Sequence, residues 1–583
     1  MKRLLLGVGL LLGACGSPST PAPSLFEESP ASEDTSPSEE PTLTPASEGP
    51  LRFDDVRASW GLDWQHSGGR NPAKWLPETM GGGVALFDAD RNGALDILVV
   101  DSGGLAGAPS SSGPRLYLGD GSGGFEDVTA SWGLTGQGYG MGLAVGDIDN
   151  DGWSDVYLTS YGAQDRLLRN DNGERFVDVT EAWGVTPEGW STSAAFLDIE
   201  GDGDLDLFVA RYVDYQLGSA LKCWFRSIHI YCTPALYSAL PDRLLRNDGG
   251  TFTDVSVESG IAAHKAKGLA VATGDLDRDG DVDLYVADDI SRNLLLLNDG
   301  SGVFTEQGLL AGVAYSELGR EEASMGVSIT DANADGYWDL AVTNFQAEPT
   351  GLYLGRSDGT YREQSDKVGI GASSRRRLSF GIQWFDADND GDEELATANG
   401  HITSNVEEYR DGVVFDQLNS LYLNNGGRFS DVSATSGSAL AHRGVSRGLA
   451  TGDLDGDGGL DLVIVNNEGP LLVGANRTEK RGHWVSLWLE GVASNRNAIG
   501  AVVTARVGER TLVREVRGAT SYLAVSDRRV HLGLGDEEMV SLSVRWPSGA
   551  EQSFDGVTAD RHLRLVEGGQ LVPYIPGAES LAP

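Results

Sequence analysis

Cysteine, histidine and basic residues are scarce in this sequence. Its 583 residues include 3 cysteines, 8 histidines and 44 lysines and arginines, against 86 aspartates and glutamates. The formal net charge of -42 argues against binding of nucleic acid, whose phosphates need a basic surface. So few thiols and imidazoles also disfavour zinc and copper chemistry. The chain is too long for one ordinary domain, so several structural units are expected.

One acidic motif, Asp-x-Asp-x-Asp-Gly-x-x-Asp, is repeated seven times. Each copy lies between two short, β-rich apolar runs, and positions 1, 3, 5 and 9 are the predicted cation ligands. The copies supply, in order, Asp88, Asp90, Asn92 and Asp96; Asp147, Asp149, Asp151 and Asp155; Asp198, Glu200, Asp202 and Asp206; Asp275, Asp277, Asp279 and Asp283; Asp331, Asn333, Asp335 and Asp339; Asp386, Asp388, Asp390 and Glu394; and Asp453, Asp455, Asp457 and Asp461.

The second copy shows why the motif predicts a calcium loop. Asp147, Asp149 and Asp151 alternate around a tight turn, Gly152 lets the backbone reverse, and Asp155 returns a carboxylate from the next strand. Hard oxygen donors of this kind favour Ca²⁺ or Mg²⁺, and flexible, highly charged loops favour Ca²⁺. The last acid stands at position 9 rather than 12, so the motif is not a helix-loop-helix hand. We predict up to seven Ca²⁺ ions; solvated turns without metal are the alternative.

A second repeated signature predicts the fold. Segments such as LLRNDNGERFVDVT from Leu167 and LYLNNGGRFSDVS from Leu421 have the form strand, Gly/Asn turn, strand. One acidic loop plus one hairpin gives four strands in about 55 residues, as in a propeller blade.

The two ends of the repeat region are predicted to complete one blade, because complementary halves of a hairpin occur at residues 51–64 and 470–477. We predict an all-β, seven-bladed propeller over residues 50–478, a β-sandwich-like domain over 479–570 and a tail over 571–583.

The N-terminus predicts export. Lys2 and Arg3 precede the apolar run 4–12, which is too short to span a bilayer. It ends in Leu12-Gly13-Ala14-Cys15, which resembles a bacterial lipoprotein processing box. By that resemblance, residues 1–15 are a lipoprotein signal with Cys15 lipidated, and an ordinary secretory signal is the alternative. Residues 16–49 are rich in Ser, Pro, Glu and Thr, which predicts a disordered tether. No later segment has the pattern of a transmembrane helix.

The two remaining cysteines lie in an insertion from Tyr212 to Asp242. In an oxidising compartment, the short gap between Cys223 and Cys232 predicts a local disulfide. Without nearby histidine pairs they form a poor zinc site. The insertion also carries several aromatic residues. It is interpreted as a cap that packs its own aromatics, and an aromatic recognition patch is the alternative.

Two further patterns could indicate catalysis. Gly444-Val445-Ser446-Arg447-Gly448 matches the G-x-S-x-G nucleophile pattern, but it leads into a strand and an acidic loop rather than a helix. Its last glycine recurs five residues before other acidic loops, so a repeat-position glycine explains it better. Four histidines lie outside the acidic loops near strand ends, and separate structural or surface roles are favoured over a shared site; they are His66, His264, His401 and His442. No catalytic residue is predicted.

These loops resemble the FG-GAP or VCBS repeats of integrin-α-type propellers. The C-terminal region resembles the domain named for acidic secreted cartilage protein and UnbV, and the whole chain is similar to bacterial members of the cartilage acidic protein family. The residues that carry the second resemblance are His483-Trp-Val, Ser494-Asn-Arg-Asn-Ala-Ile-Gly-Ala501, Arg514-Glu-Val, His531-Leu-Gly-Leu-Gly535 and Arg545-Trp-Pro-Ser-Gly549. One departure is Ala519-Thr520-Ser521, where the resemblance implies a stretch richer in glycine.

The leading hypothesis is an exported, lipid-anchored, calcium-loaded propeller that binds or adheres to a partner at the cell surface. The expected partner is a surface protein or a glycan, with no nucleic acid and with membrane contact through the lipid anchor only. The expected location is the bacterial cell envelope, at the outer membrane or cell surface. Two alternatives remain: an enzyme that acts at the propeller mouth, for example on glycans, and a structural component of an envelope assembly. An enzyme would need a convergent catalytic set outside the calcium loops.

Overall fold

The computed structural model describes residues 49–105, 113–136, 138–185 and 189–578. The predicted signal peptide with Cys15, nearly all of the predicted tether and residues 579–583 of the predicted tail lie outside these ranges. No helix within the described ranges is long and apolar enough to cross a membrane.

Short strands build almost the whole described chain. Up to Asn476 they are β1 (Phe53–Asp55), β2 (Val84–Phe87), β3 (Asp96–Val99), β4 (Arg115–Gly119), β5 (Phe125–Asp127), β6 (Tyr139–Gly146), β7 (Asp155–Tyr161), β8 (Arg166–Asn170), β9 (Phe176–Asp178), β10 (Ser191–Leu197), β11 (Asp206–Arg211), β12 (Cys223–Phe225), β13 (Ile228–Ile230), β14 (Arg243–Asn247), β15 (Phe252–Asp254), β16 (Gly268–Gly274), β17 (Asp283–Ser291), β18 (Leu294–Asn298), β19 (Phe304–Glu306), β20 (Glu322–Ala323), β21 (Val327–Thr330), β22 (Asp339–Val342), β23 (Gly351–Gly355), β24 (Tyr361–Glu363), β25 (Ser379–Phe385), β26 (Glu394–Asn399), β27 (Gln417–Leu418), β28 (Ser420–Asn424), β29 (Phe429–Asp431), β30 (Arg443–Gly444), β31 (Ser446–Gly452), β32 (Asp461–Asn466) and β33 (Leu472–Asn476).

The C-terminal strands are β34 (His483–Glu490), β35 (Val502–Val507), β36 (Arg510–Glu515), β37 (Ala524–Val525), β38 (Val530–Gly535), β39 (Met539–Arg545), β40 (Glu551–Thr558), β41 (Arg561–Val566) and β42 (Leu571–Tyr574). Helices are limited to single turns. The α-helical turns are α1 (Gly308–Ala311), α2 (Ser365–Val368) and α3 (Gly371–Ser374), and the 3₁₀ turns are Leu76–Thr79, Leu217–Ser219, Pro234–Leu236, Ile261–Ala263, Val406–Glu408 and Ser433–Thr435.

Most of the strands up to Asn476 form four-stranded antiparallel sheets, seven of them within the described residues. In chain order these ring sheets are β2-β3-β4-β5, β6-β7-β8-β9, β10-β11-β14-β15, β16-β17-β18-β19, β21-β22-β23-β24, β25-β26-β28-β29 and β31-β32-β33-β1. The first strand of each sheet packs against the first strand of the next, and β31 packs against β2. The sheets therefore form a closed ring, and the prediction of an all-β propeller is confirmed.

The two ends of the ring region meet in one sheet. Strand β1 pairs with β33, with Phe53 opposite Asn476 and Asp55 opposite Gly474. The sequence predicted this pairing from the two half-hairpins. Closure by both ends covers a sheet edge that would otherwise remain open.

Beyond the ring, the chain forms a C-terminal domain of two four-stranded sheets, β38-β34-β41-β42 and β36-β35-β39-β40. Apolar side chains from both sheets, including Val485, Val503 and Trp546, share one buried cluster with Phe196 and Leu207 of the ring. The predicted β-sandwich-like domain is therefore present, and it packs directly on the propeller.

A segment of the C-terminal domain enters the centre of the ring. Residues 518–528, here named the plug, hydrogen-bond to the first strand of every ring sheet. The ring partners are Val84, Val145, Ser193, Thr273, Val327, Ile382 and Thr451. Within the plug, β37 pairs in parallel with β2, and Tyr522 and Leu523 are fully buried. The plug thus joins the C-terminal domain to all seven ring sheets at once.

Candidate metal centres

The seven acidic loops occupy equivalent places in the ring. In each loop, position 1 directly follows the first strand of a sheet and position 9 begins the second strand, as Asp147 and Asp155 do between β6 and β7. The glycine at position 6 has a positive φ in every copy, for example 95° at Gly152. Residues with a Cβ rarely adopt such angles. The predicted turn is therefore present in all seven copies, at the same edge of each sheet.

The carboxylate at position 9 fastens each loop to its own sheet. In all seven copies, one oxygen accepts the backbone N–H of position 2 and the other accepts an N–H from the third strand. Asp155, for example, accepts from Ile148 at 2.9 Å and from Asn170 at 2.7 Å. Position 9 therefore has a structural role in addition to its predicted role as a ligand.

The carboxylate at position 1 shapes the turn itself. Asp147 accepts the backbone N–H of Asp151 at 3.1 Å and that of Gly152 at 2.7 Å. Similar pairs of bonds form at Asp88, Asp198, Asp331 and Asp453. These bonds hold the carboxylate of position 1 inside the turn, where other carboxylates of the loop converge.

Five loops bring three carboxylates within reach of one cation. In each group, one oxygen from each residue lies within 4.8 Å of the others. The groups are Asp88, Asp90 and Asp96; Asp147, Asp149 and Asp155; Asp275, Asp277 and Asp279; Asp386, Asp388 and Glu394; and Asp453, Asp455 and Asp461. The other two loops do not form such a group among the described residues. Both depart at position 3, where Glu200 is longer and Asn333 is not a carboxylate.

The donor atoms of these groups fit a divalent cation. Asp386 is only 2% exposed, and its Oδ1 has no hydrogen-bond partner in the described part of the chain. The same is true of the Oδ1 atoms of Asp275, Asp388 and Asp455. A buried, unpartnered carboxylate oxygen is costly. Since all donors in the groups are carboxylates, Ca²⁺ or Mg²⁺ suits them better than zinc or copper.

The electrostatics of the loops also favour a bound cation. Burial raises the pKa of Asp147 and of Asp453 to about 7 and the pKa of Asp206 to about 8. Like-charged neighbours add to the rise, since Asp149 and Asp151 both raise the pKa of Asp147. The loops therefore resist full ionisation by themselves, and a cation among the carboxylates would favour the ionised form.

The C-terminal domain covers several of these loops. Position 4 has a positive φ at Arg91, Asn150 and Asn389. Each of these side chains contacts the domain: Arg91 donates to Glu490, Asn150 accepts from the backbone N–H of Arg496, and Asn389 lies 2.8 Å from His531 Nε2. Position 4 is not one of the predicted ligand positions. In these three loops it contacts the C-terminal domain and so serves docking.

Basic side chains of the same domain approach three carboxylates at position 1. Arg529 lies 3.6 Å from Asp88, Arg545 lies 3.4 Å from Asp275, and His562 lies 3.5 Å from Asp453. Arg529 and Arg545 bring positive charge to Asp88 and Asp275, whereas burial lowers the pKa of His562 to about 4 and leaves its imidazole neutral near pH 7. The acidic loops are therefore an internal interface of the molecule as well as candidate metal centres.

In five of the seven ring sheets, an asparagine at the end of the third strand links neighbouring sheets; the sequence interpreted it as a turn residue. Asn247 ends β14, and its Nδ2 donates to Ile148 O of the preceding acidic loop at 2.8 Å and to Leu205 O of its own loop at 3.2 Å. The inter-sheet bond is also made by Asn170, Asn298, Asn424 and Asn476. Two sheets carry glycine at this place, Gly119 and Gly355. The recurrence of Asn at the end of the third strand is the sequence pattern from which this link between sheets could have been predicted.

The other sequence candidates do not form a catalytic set. Ser446 begins β31, is fully buried and donates to Asn466 Oδ1 at 2.8 Å, so it lies in a strand and not in a strand-to-helix elbow. His66 and His401 are each 2% exposed, and burial lowers the pKa of both to about 3. His66 contacts Ser102, whereas His401 accepts from Thr403. The two histidines hydrogen-bond to different residues, and the nearby cation of Arg447 adds to the fall in the pKa of both.

The insertion combines both interpretations made from the sequence. Cys223 and Cys232 form the predicted disulfide. Tyr231 is buried, and Tyr237 packs against Tyr215 at a ring distance of 4.9 Å, as expected of a cap. Trp224, in contrast, is 58% exposed. The insertion therefore packs some of its aromatics and presents one of them to solvent.

Comparison with known families matches both parts of the molecule. The FG-GAP-like repeat matches residues 88–158, 147–209, 275–342 and 411–464, and three of these matches begin at the first residue of an acidic loop. The family described as ASPIC and UnbV matches residues 491–572. The chain is therefore a protein of FG-GAP-like repeats with a C-terminal ASPIC and UnbV domain, as the sequence motifs predicted.

Among curated proteins the chain is similar to cartilage acidic protein 1. It is 26% identical to the mouse protein over 443 residues, which cover 71% of this chain and 62% of the relative. It is 25% identical to the human protein over 443 residues, which cover 71% of this chain and 60% of the relative. The chain thus matches less than two thirds of the length of either relative.

Solved structures give more distant likenesses. An Agrocybe aegerita lectin that recognises non-reducing terminal N-acetylglucosamine has a TM-score of 0.37 and 17% identity, with 66% of this chain and 90% of that chain covered. The BP39L lectin from Burkholderia pseudomallei has a TM-score of 0.42 and 11% identity, with 67% and 96% covered.

Proposed function

We propose that this protein is an exported, lipid-anchored calcium-binding propeller that acts as a binding or adhesion protein at the cell surface. The observation that carries the calcium proposal is the set of buried, unpartnered carboxylate oxygens at Asp275, Asp386, Asp388 and Asp455. Bound Ca²⁺ would supply positive charge and oxygen coordination to these groups. Position 1 would hold its carboxylate in the turn, and position 9 would keep the loop attached to its sheet.

The architecture supports binding rather than catalysis in the ring. The centre of the ring is filled by a buried cluster that includes Trp190, Phe380, Tyr522 and Leu523. The enzyme alternative would need a catalytic set at the mouth of this channel. The C-terminal domain covers loops on one side of the ring, so the side that carries the insertion is the better candidate for contact with a partner.

Export and anchoring rest on the N-terminal motif and on the similarity to cartilage acidic protein 1. The lipidated residue would be Cys15, and the Ser/Pro/Glu-rich tether would separate the folded part from the membrane. A single acyl chain gives marginal membrane binding, so stable retention requires the two or three chains of a bacterial lipoprotein.

Fractionation and binding in one expression host test this proposal. The full chain is expected in the membrane fraction, and Cys15→Ser is expected to release it in soluble form. The released protein, at a fixed excess of Ca²⁺, should then bind saturably to isolated cell envelopes. Retention of Cys15→Ser in the membrane would refute the anchor, and a linear, non-saturable isotherm would refute the binding role.

A further inference from the structure

The insertion presents one face of a short hairpin to solvent. Strands β12 and β13 pair with Trp224 opposite His229, so these two side chains share a face. Their rings stack at 4.8 Å with an interplanar angle of 28°, and Trp224 is 58% exposed. Phe225 points to the other face, where its ring lies 5.2 Å from that of Tyr409. The hairpin thus has an inner face fixed to the protein and an outer face headed by an exposed indole.

Several contacts hold this hairpin in place. The Cys223–Cys232 disulfide closes its base. Tyr231 donates to Glu78 Oε2 at 2.9 Å, and Asn405 Nδ2 donates to His229 O at 3.4 Å. A rigid aromatic surface loses little conformational entropy when a ligand binds. The indole is therefore presented on an ordered support rather than on a free loop.

The insertion that carries Trp224 differs in charge from the chain as a whole. The chain contains 86 acids in 583 residues, or about one in seven, yet residues 215–241 contain none. The charged residues in this stretch are Lys222 and Arg226, and both are exposed. The exposed acids Glu407 and Glu408 precede Tyr409 and so lie beside the inner face, whereas the segment that forms the outer face contains no acid. This arrangement favours an anionic ligand on the outer face over a neutral or cationic one.

We propose that the outer face of this hairpin binds an acidic glycan. The C–H face of a pyranose ring would stack on Trp224, and Lys222 would pair with carboxylate or sulfate groups on the sugar. Arg226, whose guanidinium lies 5.5 Å from the centroid of the Phe225 ring, would leave that ring to add a second cationic contact. This inference rests on the proposed binding function and names the chemistry of its ligand.

The size of the surface favours a glycan over a folded protein partner. The exposed large apolar residues of the insertion are Leu221, Trp224 and Leu236, at 49%, 58% and 38% exposure. A stable protein interface buries roughly 800 Å² on each partner and centres on a desolvated cluster of anchors. One flat indole with flanking cations matches one or two sugar rings instead.

A matched pair of polysaccharides tests the proposal. Tryptophan fluorescence and thermophoresis of the calcium-saturated Cys15→Ser chain would be measured with dextran sulfate and with uncharged dextran of equal length. Binding to dextran sulfate alone is expected, and it should weaken with added salt. Trp224→Ala and the double variant Lys222→Ala/Arg226→Ala should each lose about tenfold or more in affinity. Arg175→Ala removes an exposed charge from the hairpin between β8 and β9 and should leave affinity unchanged.

The same variants and ligands distinguish failure of the glycan inference from failure of the proposed binding function. No binding to dextran sulfate, or binding that Trp224→Ala leaves intact, would overturn the proposal. Binding to phosphatidylglycerol vesicles that depends on Trp224, without binding to dextran sulfate, would overturn it in favour of a lipid surface. If the Cys15→Ser protein binds envelopes saturably but not dextran sulfate, the glycan inference fails while the proposed binding function stands. If it binds neither, both fail.

Discussion

Arg91 of the first acidic loop donates to Glu490 of the C-terminal domain at 3.0 Å, and the two side chains are only 5% and 2% exposed. Arg91 also donates to Gly152 O of the second loop, and Glu490 accepts from Arg564 at 2.6 Å. Two ring sheets and the C-terminal domain therefore meet in one buried ionic network. Position 4 is Asn, Gly or Ala in five other copies and Arg278 in the fourth. The contacts of Arg91 show that the first loop also serves docking.

Removal of Glu490 should strongly destabilise the molecule. Glu490→Ala would leave Arg91 and Arg564 without their carboxylate in a buried site, at a cost of about 3–5 kcal/mol. Chemical denaturation followed by intrinsic fluorescence would measure this loss. Arg356→Ala is the matched control, since Arg356 and Asp358 form an exposed pair at 4.0 Å with 57% exposure on both sides. Equal denaturation midpoints for the Glu490→Ala and Arg356→Ala variants would contradict the network.

The plug should be required for a stable ring. Tyr522 donates to Met80 O at 3.1 Å, and its ring lies 5.0 Å from that of Phe380. Tyr522→Ala would leave a large cavity and is expected to cost about 3–5 kcal/mol, as for other buried aromatic residues. Tyr522→Phe would lose one hydrogen bond at about 1 kcal/mol. Thermal melting and limited proteolysis would rank the variants, and equal stability of Tyr522→Ala and wild type would contradict a structural role of the plug.

The asparagine links should contribute to cohesion between sheets. Asn247→Ala would leave Ile148 O and Leu205 O without their side-chain donor, at about 1–3 kcal/mol. Amide hydrogen exchange should then speed up in the second and third acidic loops before the rest of the ring. Gly119→Ala is not a suitable control because an added Cβ would lie 2.2 Å from Leu95 O. Asn172→Ala, in an exposed hairpin turn, is the better comparison and should leave exchange in these loops unchanged.

The acidic loops should bind their ions separately. Asp388→Ala removes one member of the sixth group, whose remaining members are Asp386 and Glu394. The calcium content of the purified protein should fall by about one ion per chain, since we propose that each such group binds its own ion. Asp171→Ala, outside the acidic loops, should leave the content unchanged. Loss of all calcium from the Asp388→Ala protein, with the fold retained, would show that the loops do not act as independent sites.

The sequence predicted those features that depend on local spacing. The acidic turns, the four-stranded repeat, the pairing of residues near Phe53 with those near Asn476 and the Cys223–Cys232 bond all follow from short motifs. The plug could not be predicted from the sequence, because Ala519, Thr520 and Ser521 have neither strand alternation nor a turn signature. Its partners lie up to about 440 residues away, as Tyr522 and Met80 do.

Within the loops, residue type alone did not show which side chains converge. Position 9 appeared to be only a ligand, yet Asp155 also accepts two backbone N–H groups. Glu200 and Asn333 keep a side-chain oxygen and so were assigned as ligands, although their loops do not gather three carboxylates among the described residues. In the insertion, Tyr231 and Trp224 are both aromatic, and the tertiary contacts of Tyr231 with Glu78 and Lys74 distinguish the buried residue from the exposed one.

The central claim, that calcium in the acidic loops is structural, is tested most directly by melting the full chain before and after exhaustive dialysis against EDTA, with elemental analysis of the same samples. A site saturated at 100 times its dissociation constant adds about 2.7 kcal/mol. We therefore expect about five or more calcium ions per chain before dialysis. Chelation should lower the melting temperature by about 10 °C or more, and Ca²⁺ should restore it better than Mg²⁺. An unchanged melting curve, together with no calcium in the untreated protein, would contradict the account.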